Sequence, residues 1–101
     1  LLESIRGAKS EGLKSFGSDK VLIEKYVVNP RHIEVQLMSD TFGNHLHFFE
    51  RECSIQRRYQ KIVEETPAPN LAHELRLKIC ETATRIASGI NYRGAGTVEF
   101  I

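Results

Sequence analysis

The run His32-Ile33-Glu34-Val35-Gln36-Leu37-Met38 constrains the fold more than any other stretch, because polar and apolar residues alternate through it with period two. That is the pattern of a half-buried strand, with Ile33, Val35 and Leu37 turned inward. Asp40-Thr41-Phe42-Gly43-Asn44 follows as a tight turn, with Gly43 at the position that most needs a positive φ. His45 to Phe49 then returns as the partner strand. A hairpin of this kind commits the chain to an antiparallel sheet.

The flanking segments supply the rest of the layer. Leu2, Ile5, Leu13 and Phe16 share a helical face, which predicts an amphipathic helix over residues 2–16 that stops at Gly17-Ser18-Asp19. Val21 to Val28 is β-branched and aromatic and reads as a strand, broken by Asn29-Pro30. A short strand is expected at Ile62 to Glu65, then an extended linker, Thr66 to Asn70, held open by Pro67 and Pro69. Leu75, Ile79, Ala83, Ile86 and Ile90 mark a second helix over residues 72–91, with Asn70 as a candidate cap. Tyr92 to Gly96 is the exit loop and Thr97 to Ile101 a closing strand. The order is helix, four strands, helix, strand. It defines an α+β fold in which helices cover an antiparallel sheet, not a doubly wound one.

Bulk properties exclude several functions. A chain of 101 residues holds one domain at most, near the lower limit for a self-sufficient core. With 41% hydrophobic and 27% charged residues it is not a disordered sequence. Its 14 cations are nearly balanced by 13 anions, so no general affinity for nucleic acid or membranes follows. No apolar run approaches the roughly 20 residues that span a bilayer. Cys53 and Cys80 lack ligand or CxxC spacing and read as free thiols.

Chemistry concentrates between Glu52 and Pro69, where Gln56, Arg57, Arg58, Gln60 and Lys61 crowd six positions. Two readings stand: a solvated basic loop, or a place where an anion docks. Arg57 and Arg58 could equally pair with Glu50, Glu52, Glu64 or Glu65. Glu24 and Lys25 interrupt an apolar run, as an edge strand's surface or as ligand contacts would. His32, after a proline turn, is either a satisfied surface histidine or a donor to a ligand oxygen. Glu99 is either an exposed strand residue or a hard-cation ligand. His45, His47 and His73 read as surface, and Cys53 as packing.

Taken together, EKYVVNPRHIEVQ, ECSIQRRYQK and GAGTVEFI resemble the nucleotide-binding region of biotin carboxylase, an ATP-grasp enzyme. The resemblance runs over nearly the whole chain. It implies a partial ATP-grasp domain over residues 1–101, truncated at both ends and inactive alone, since the chain opens without Met inside a helix and closes in mid-strand. It implies that backbone groups of Glu24, Lys25, Tyr26 and Val27 hold adenine, with Ile101 as an apolar platform beneath it. His32 and Gln56 would sit in the nucleotide site, and Lys61 against bicarbonate and carboxyphosphate. Glu99 would ligate the Mg²⁺ (or Mn²⁺) that bridges the ATP phosphates. Tyr59 departs from the family, which usually has histidine there, so the resemblance implies only a loose nucleotide contact for it.

The implied cofactors are ATP, Mg²⁺ and a biotin borne on a carrier domain outside this chain. The implied partners are that carrier and a carboxyltransferase subunit or domain, within an oligomeric parent of the mitochondrial matrix or bacterial cytoplasm. SFGSDKVLIEK, EETPAPNL and GTVEFI look most like acyl-CoA carboxylases of the methylcrotonoyl kind, with urea carboxylase next. Two alternatives stay open. One is another ATP-grasp ligase, of the carbamoyl-phosphate synthase type, which should lack the PRHIEVQ and CSIQRRYQK runs. The other is a nucleic-acid-binding module in which QRRYQK binds phosphates and Tyr59 stacks on a base.

Overall fold

The computed structural model describes residues 1–101. Its elements are α1 (Leu2–Phe16), β1 (Ile33–Ser39), β2 (His45–Arg57), β3 (Gln60–Glu65), α2 (His73–Gly89) and β4 (Gly94–Phe100). The four strands form one antiparallel sheet in the order β3-β2-β1-β4, so β1 is central and pairs with both β2 and β4. The alternation read from sequence is what places it there. Ile33, Val35 and Leu37 are buried, and Val35 and Leu37 meet Cys80, Ala83 and Ala87 of α2 in the core. Small residues on that stripe of α2 let the helix lie close to the sheet, and Ile79, Tyr92, Val98 and Phe100 close the margins. Gly43 has φ 88, as the hairpin turn requires.

Three expectations are corrected. Val21 to Val28 is not a strand; it is irregular, and all of it but Val21 is exposed. β-propensity expresses fit to a neighbouring strand, and here no strand lies alongside. Helix α1 has the expected bounds but buries no residue, so α2 alone covers the sheet. With α1 projecting, the radius of gyration is 17.0 Å, against about 13 Å for a compact domain of this length. The basic stretch, finally, is not a loop. Strand β2 runs on to Arg57, and Arg58 and Tyr59, at φ 51 and 65, make a two-residue turn into β3. At smaller scale, β4 already begins at Gly94, and Asn70 does not cap α2, whose N-cap is Ala72.

One irregularity organises the sheet. Ser39 faces His45 and Leu37 faces His47, but Val35 faces Glu50 and Glu34 faces Arg51. Gln36 therefore opposes two residues, Phe48 and Phe49, and Phe49 takes φ 61: a β-bulge. Were Phe49 paired regularly with Val35, Glu50 would stand across from Glu34. With Phe49 bulged, Glu50 turns to the α2 side and Arg51 to the other.

Candidate functional site on the open face of the sheet

On the face away from α2, Glu34 is fully buried and lies between Arg51 of β2 and Glu99 of β4 in register. Two carboxylates directly opposite one another repel unless a cation joins them. Lys61 is that cation: reaching across from β3, its Nζ donates to Glu34 Oε2 and to Glu99 Oε1. Arg51 Nε donates to Glu34 Oε1, and its Nη1 lies 2.9 Å from Glu64 Oε2. Burial pushes the Glu34 pKa up, but the bonds from Lys61 and Arg51 outweigh it, so the carboxyl stays ionised below its usual range. The same bonds from Glu34 and Glu99 hold Lys61 well above the usual ammonium range.

His32 closes the cluster, with its Nε2 3.3 Å from Glu99 Oε2. Its backbone is fixed from both sides. His32 N donates to Ser54 Oγ at 3.0 Å, and Ser54 Oγ donates to Glu52 Oε1 at 2.6 Å. Arg31 grips Glu52 with two bonds, Nε to Oε1 at 3.1 Å and Nη2 to Oε2 at 2.5 Å, and reaches the Pro69 carbonyl. The ligand atoms of His32, Glu34 and Glu99 lie within 4.8 Å of one another. Glu34 is spent on two cations, whereas Glu99 is half-exposed. Only Glu99 offers carboxylate oxygen toward solvent, and that is what a hard cation takes.

At the same end of the sheet, Val27 and Ile101 line one cleft of about 450 Å³, with Ile33, Leu75, Ile79 and Phe100 among its walls. That volume lies within the range of small-ligand pockets. Two expected nucleotide contacts, distant in sequence, thus share a wall. Glu24, Lys25 and Tyr26 are exposed in the irregular segment before it. Gln56 turns back to donate to the Cys53 carbonyl at 2.9 Å, and Tyr59 is 98% exposed at the β2–β3 turn. Neither joins the cluster.

Arg57 and Arg58 make no ion pair with Glu50, Glu52, Glu64 or Glu65; Arg76, Arg31 and Arg51 take the first three. Sequence reasoning passed over Glu34 and Arg51. The signal for Glu34 was present, since the alternation puts it on the outward face beside a basic stretch; Arg51 depended on the bulge. Cys53 is buried and free, and burial with Glu34 and Glu64 nearby pushes its thiol pKa up, which keeps it an inert packing group.

An antiparallel sheet with one helix-covered face, and with lysine, glutamate and histidine gathered on the open face, is a portion of an ATP-grasp fold. The model of the family described as "Carbamoyl-phosphate synthase L chain, ATP binding domain" matches residues 1–101, and the chain belongs to that family. It is 52% identical over 101 residues to the mitochondrial methylcrotonoyl-CoA carboxylase subunit alpha of Dictyostelium discoideum, covering 100% of this chain and 14% of that protein. It superposes on a Campylobacter jejuni biotin carboxylase, solved as a β,γ-ATP complex, with TM-score 0.89 and 49% identity over 97% of this chain and 22% of that one. The biotin carboxylase domain of Hydrogenobacter thermophilus 2-oxoglutarate carboxylase, solved with MgADP, ADP and bicarbonate, gives TM-score 0.86 and 43% identity over 98% and 22%. The chain spans about a seventh of the curated relative's length.

Proposed function

We propose that residues 1–101 are a partial ATP-grasp domain of a biotin carboxylase, one that uses MgATP and bicarbonate to carboxylate carrier-bound biotin by way of carboxyphosphate. The observation that carries this reading is the meeting of Lys61, Glu99 and His32 on the open face of the sheet. A biotin carboxylase needs a fixed cation for bicarbonate and a carboxylate for metal side by side. The likeness to structures solved with ATP, MgADP and bicarbonate supports it.

In this reading Val27 and Ile101 clamp the adenine in the cleft they share, and backbone groups of residues 24–27 read its edge, whatever their side chains. His32, its backbone held by Ser54, donates to a ribose or phosphate oxygen. Gln56 and Tyr59 take lesser places at the nucleotide, reached by side-chain rotation. Glu99 would hold Mg²⁺ or Mn²⁺, which when bound draws charge from the nucleotide phosphates. Lys61 holds bicarbonate and faces the negative charge that develops as the γ-phosphoryl group passes to it. A fixed ammonium already in place needs no reorganisation at that moment. Carboxyphosphate then yields its carboxyl group to N1 of biotin and releases phosphate.

The partners of this reading are a biotin carrier domain and a carboxyltransferase, in an oligomeric acyl-CoA carboxylase of the methylcrotonoyl kind, mitochondrial or bacterial cytoplasmic. The test is ATP cleavage by the full-length protein that carries this segment, with and without bicarbonate and free biotin. Cleavage that requires bicarbonate and rises with biotin is the expected result. Cleavage indifferent to both assigns the protein to another ATP-grasp ligase and overturns the reading.

A further inference from the structure

We propose that Arg51 is a positioning residue for the anion subsite, acting through Glu34 to keep the charge of Lys61 available. The inference rests on the bicarbonate reading of Lys61 given above. An ammonium has three donors, and Lys61 spends one on Glu34 and one on Glu99, which leaves one for an anion. Its two partners are unequal. Glu99 is half-exposed and partly screened by water, whereas Glu34 is fully buried and cannot turn to solvent. A buried carboxylate whose only cation is Lys61 would form a neutral pair with it, and an incoming anion would meet no net charge.

Arg51 removes that cancellation. It takes Glu34 Oε1 and leaves only Oε2 to Lys61, so once Glu99 is given over to the metal of the proposed site, the trio of Glu34, Arg51 and Lys61 carries net positive charge, directed at the lysine end. The residue type suits the task. The planar guanidinium spans Glu34 through Nε and Glu64 through Nη1, which locks its own orientation. Glu64 brings a carboxylate oxygen within 4.8 Å of one of Glu34 and shares Arg51 with it, but at 43% exposure its charge is partly screened by water. Register does the placing: the bulge at Phe49 sets Arg51, not Glu50, across from Glu34. Arg51 touches neither substrate nor nucleotide in this arrangement. Its effect is on the strength and position of a charge one residue removed.

The experiment compares Arg51→Gln and Arg51→Lys with the wild-type full-length protein. It follows bicarbonate-dependent ATP cleavage by steady-state kinetics, ATP binding by calorimetry and folding by thermal melt. In Arg51→Gln the KM for bicarbonate should rise about 10-fold, the scale seen when a supporting partner of a site residue is lost. ATP affinity should stay within about twofold, because uniform loss of structure would move both. Arg51→Lys, which restores the charge but not the fork, should recover part of the bicarbonate KM. An unchanged bicarbonate KM in folded Arg51→Gln, or one that moves in step with ATP affinity, overturns the inference. Should Arg51→Gln fail to fold, Arg51→Lys decides: a wild-type bicarbonate KM there overturns it, and an intermediate one supports it. A wild-type protein whose ATP cleavage ignores bicarbonate overturns the carboxylase reading itself and this inference with it, a result distinct from a failure of Arg51 alone.

Discussion

Glu34 and Glu50 are the two fully buried carboxylates of the sheet, one on each face, and they are held in different ways. Glu34 has both oxygens satisfied by cations, and one of those cations, Lys61, also reaches a half-exposed neighbour. Glu50 puts its whole load on one oxygen. Oε1 accepts from Arg76 Nε at 2.8 Å and from the Ala68 backbone at 3.1 Å, while Oε2 has no partner. Arg76 also donates to the Ala68 carbonyl, so Glu50 ties α2 and the proline linker to the sheet. The same residue type, equally buried, is a clasp between elements on one face and part of a graded row of charges on the other. Burial alone does not announce function; what matters is whether the partner's charge is used up inside the fold.

The contrast can be broken most severely at its cause. Inserting one residue after Phe49, with the bulge kept, should slide β2 by one position and bring Glu50 across from Glu34, two buried carboxylates without room for a cation. The expected result is loss of soluble folded protein, a cost above about 4 kcal/mol. An insertion variant with native stability and kinetics would show that register does not sort the two glutamates. Next comes the clasp itself. Arg76→Met leaves Glu50 buried with a single backbone donor and should cost about 3–5 kcal/mol in urea unfolding. The folded fraction should keep its KM for ATP and bicarbonate; a change in either would mean the clasp face also serves the site.

On the open face the order of effects reverses, with kinetics moving before stability. Lys61→Gln should lower kcat/KM for bicarbonate by roughly 100-fold while sparing ATP binding. Normal bicarbonate saturation in that variant would remove Lys61 from the subsite. Glu99→Gln should raise the Mg²⁺ concentration for half-maximal ATP cleavage by about 10-fold. The smallest effect is on the pH dependence of stability. Burial pushes the Glu50 pKa up, but Arg76 and the backbone donors outweigh it, so the folded value lies below the ordinary 4.5. Its contribution is therefore complete above about pH 4.5 and is lost as pH falls through the lower folded value. Glu50→Gln should flatten the acid limb of a stability–pH curve, and an unchanged limb would mean that Glu50 is not held charged.

Much of this was legible in residues. The period-two run set β1 and its inward face, Gly43 set the hairpin, and the spacing of Ile79 and Ala83 set the covering face of α2. The family resemblance points to Lys61, Glu99 and His32, and the sheet brings those three together. What stayed hidden has one physical origin: partnership is not a local property. Val21 to Val28 has strand composition but nothing to pair with. Arg57 and Arg58 look like ion-pair formers, yet Arg51 and Arg76 hold those positions because of register. The bulge leaves almost no trace in sequence, since phenylalanine is not a residue that advertises a positive φ.

That one residue acts on the sheet as a single inserted base acts on a reading frame. Upstream of Phe49, a side chain's face follows from whether its number is odd or even; downstream, the same rule holds with the sign reversed. Glu50, Arg51 and Glu52 are read in the shifted frame, and two further irregularities, between Glu52 and Ile55 and between Ile55 and Gln56, reset it against β3. Single-residue length changes inside β2 that the bulge does not absorb should thus be far rarer among working relatives than substitutions at any one of its positions.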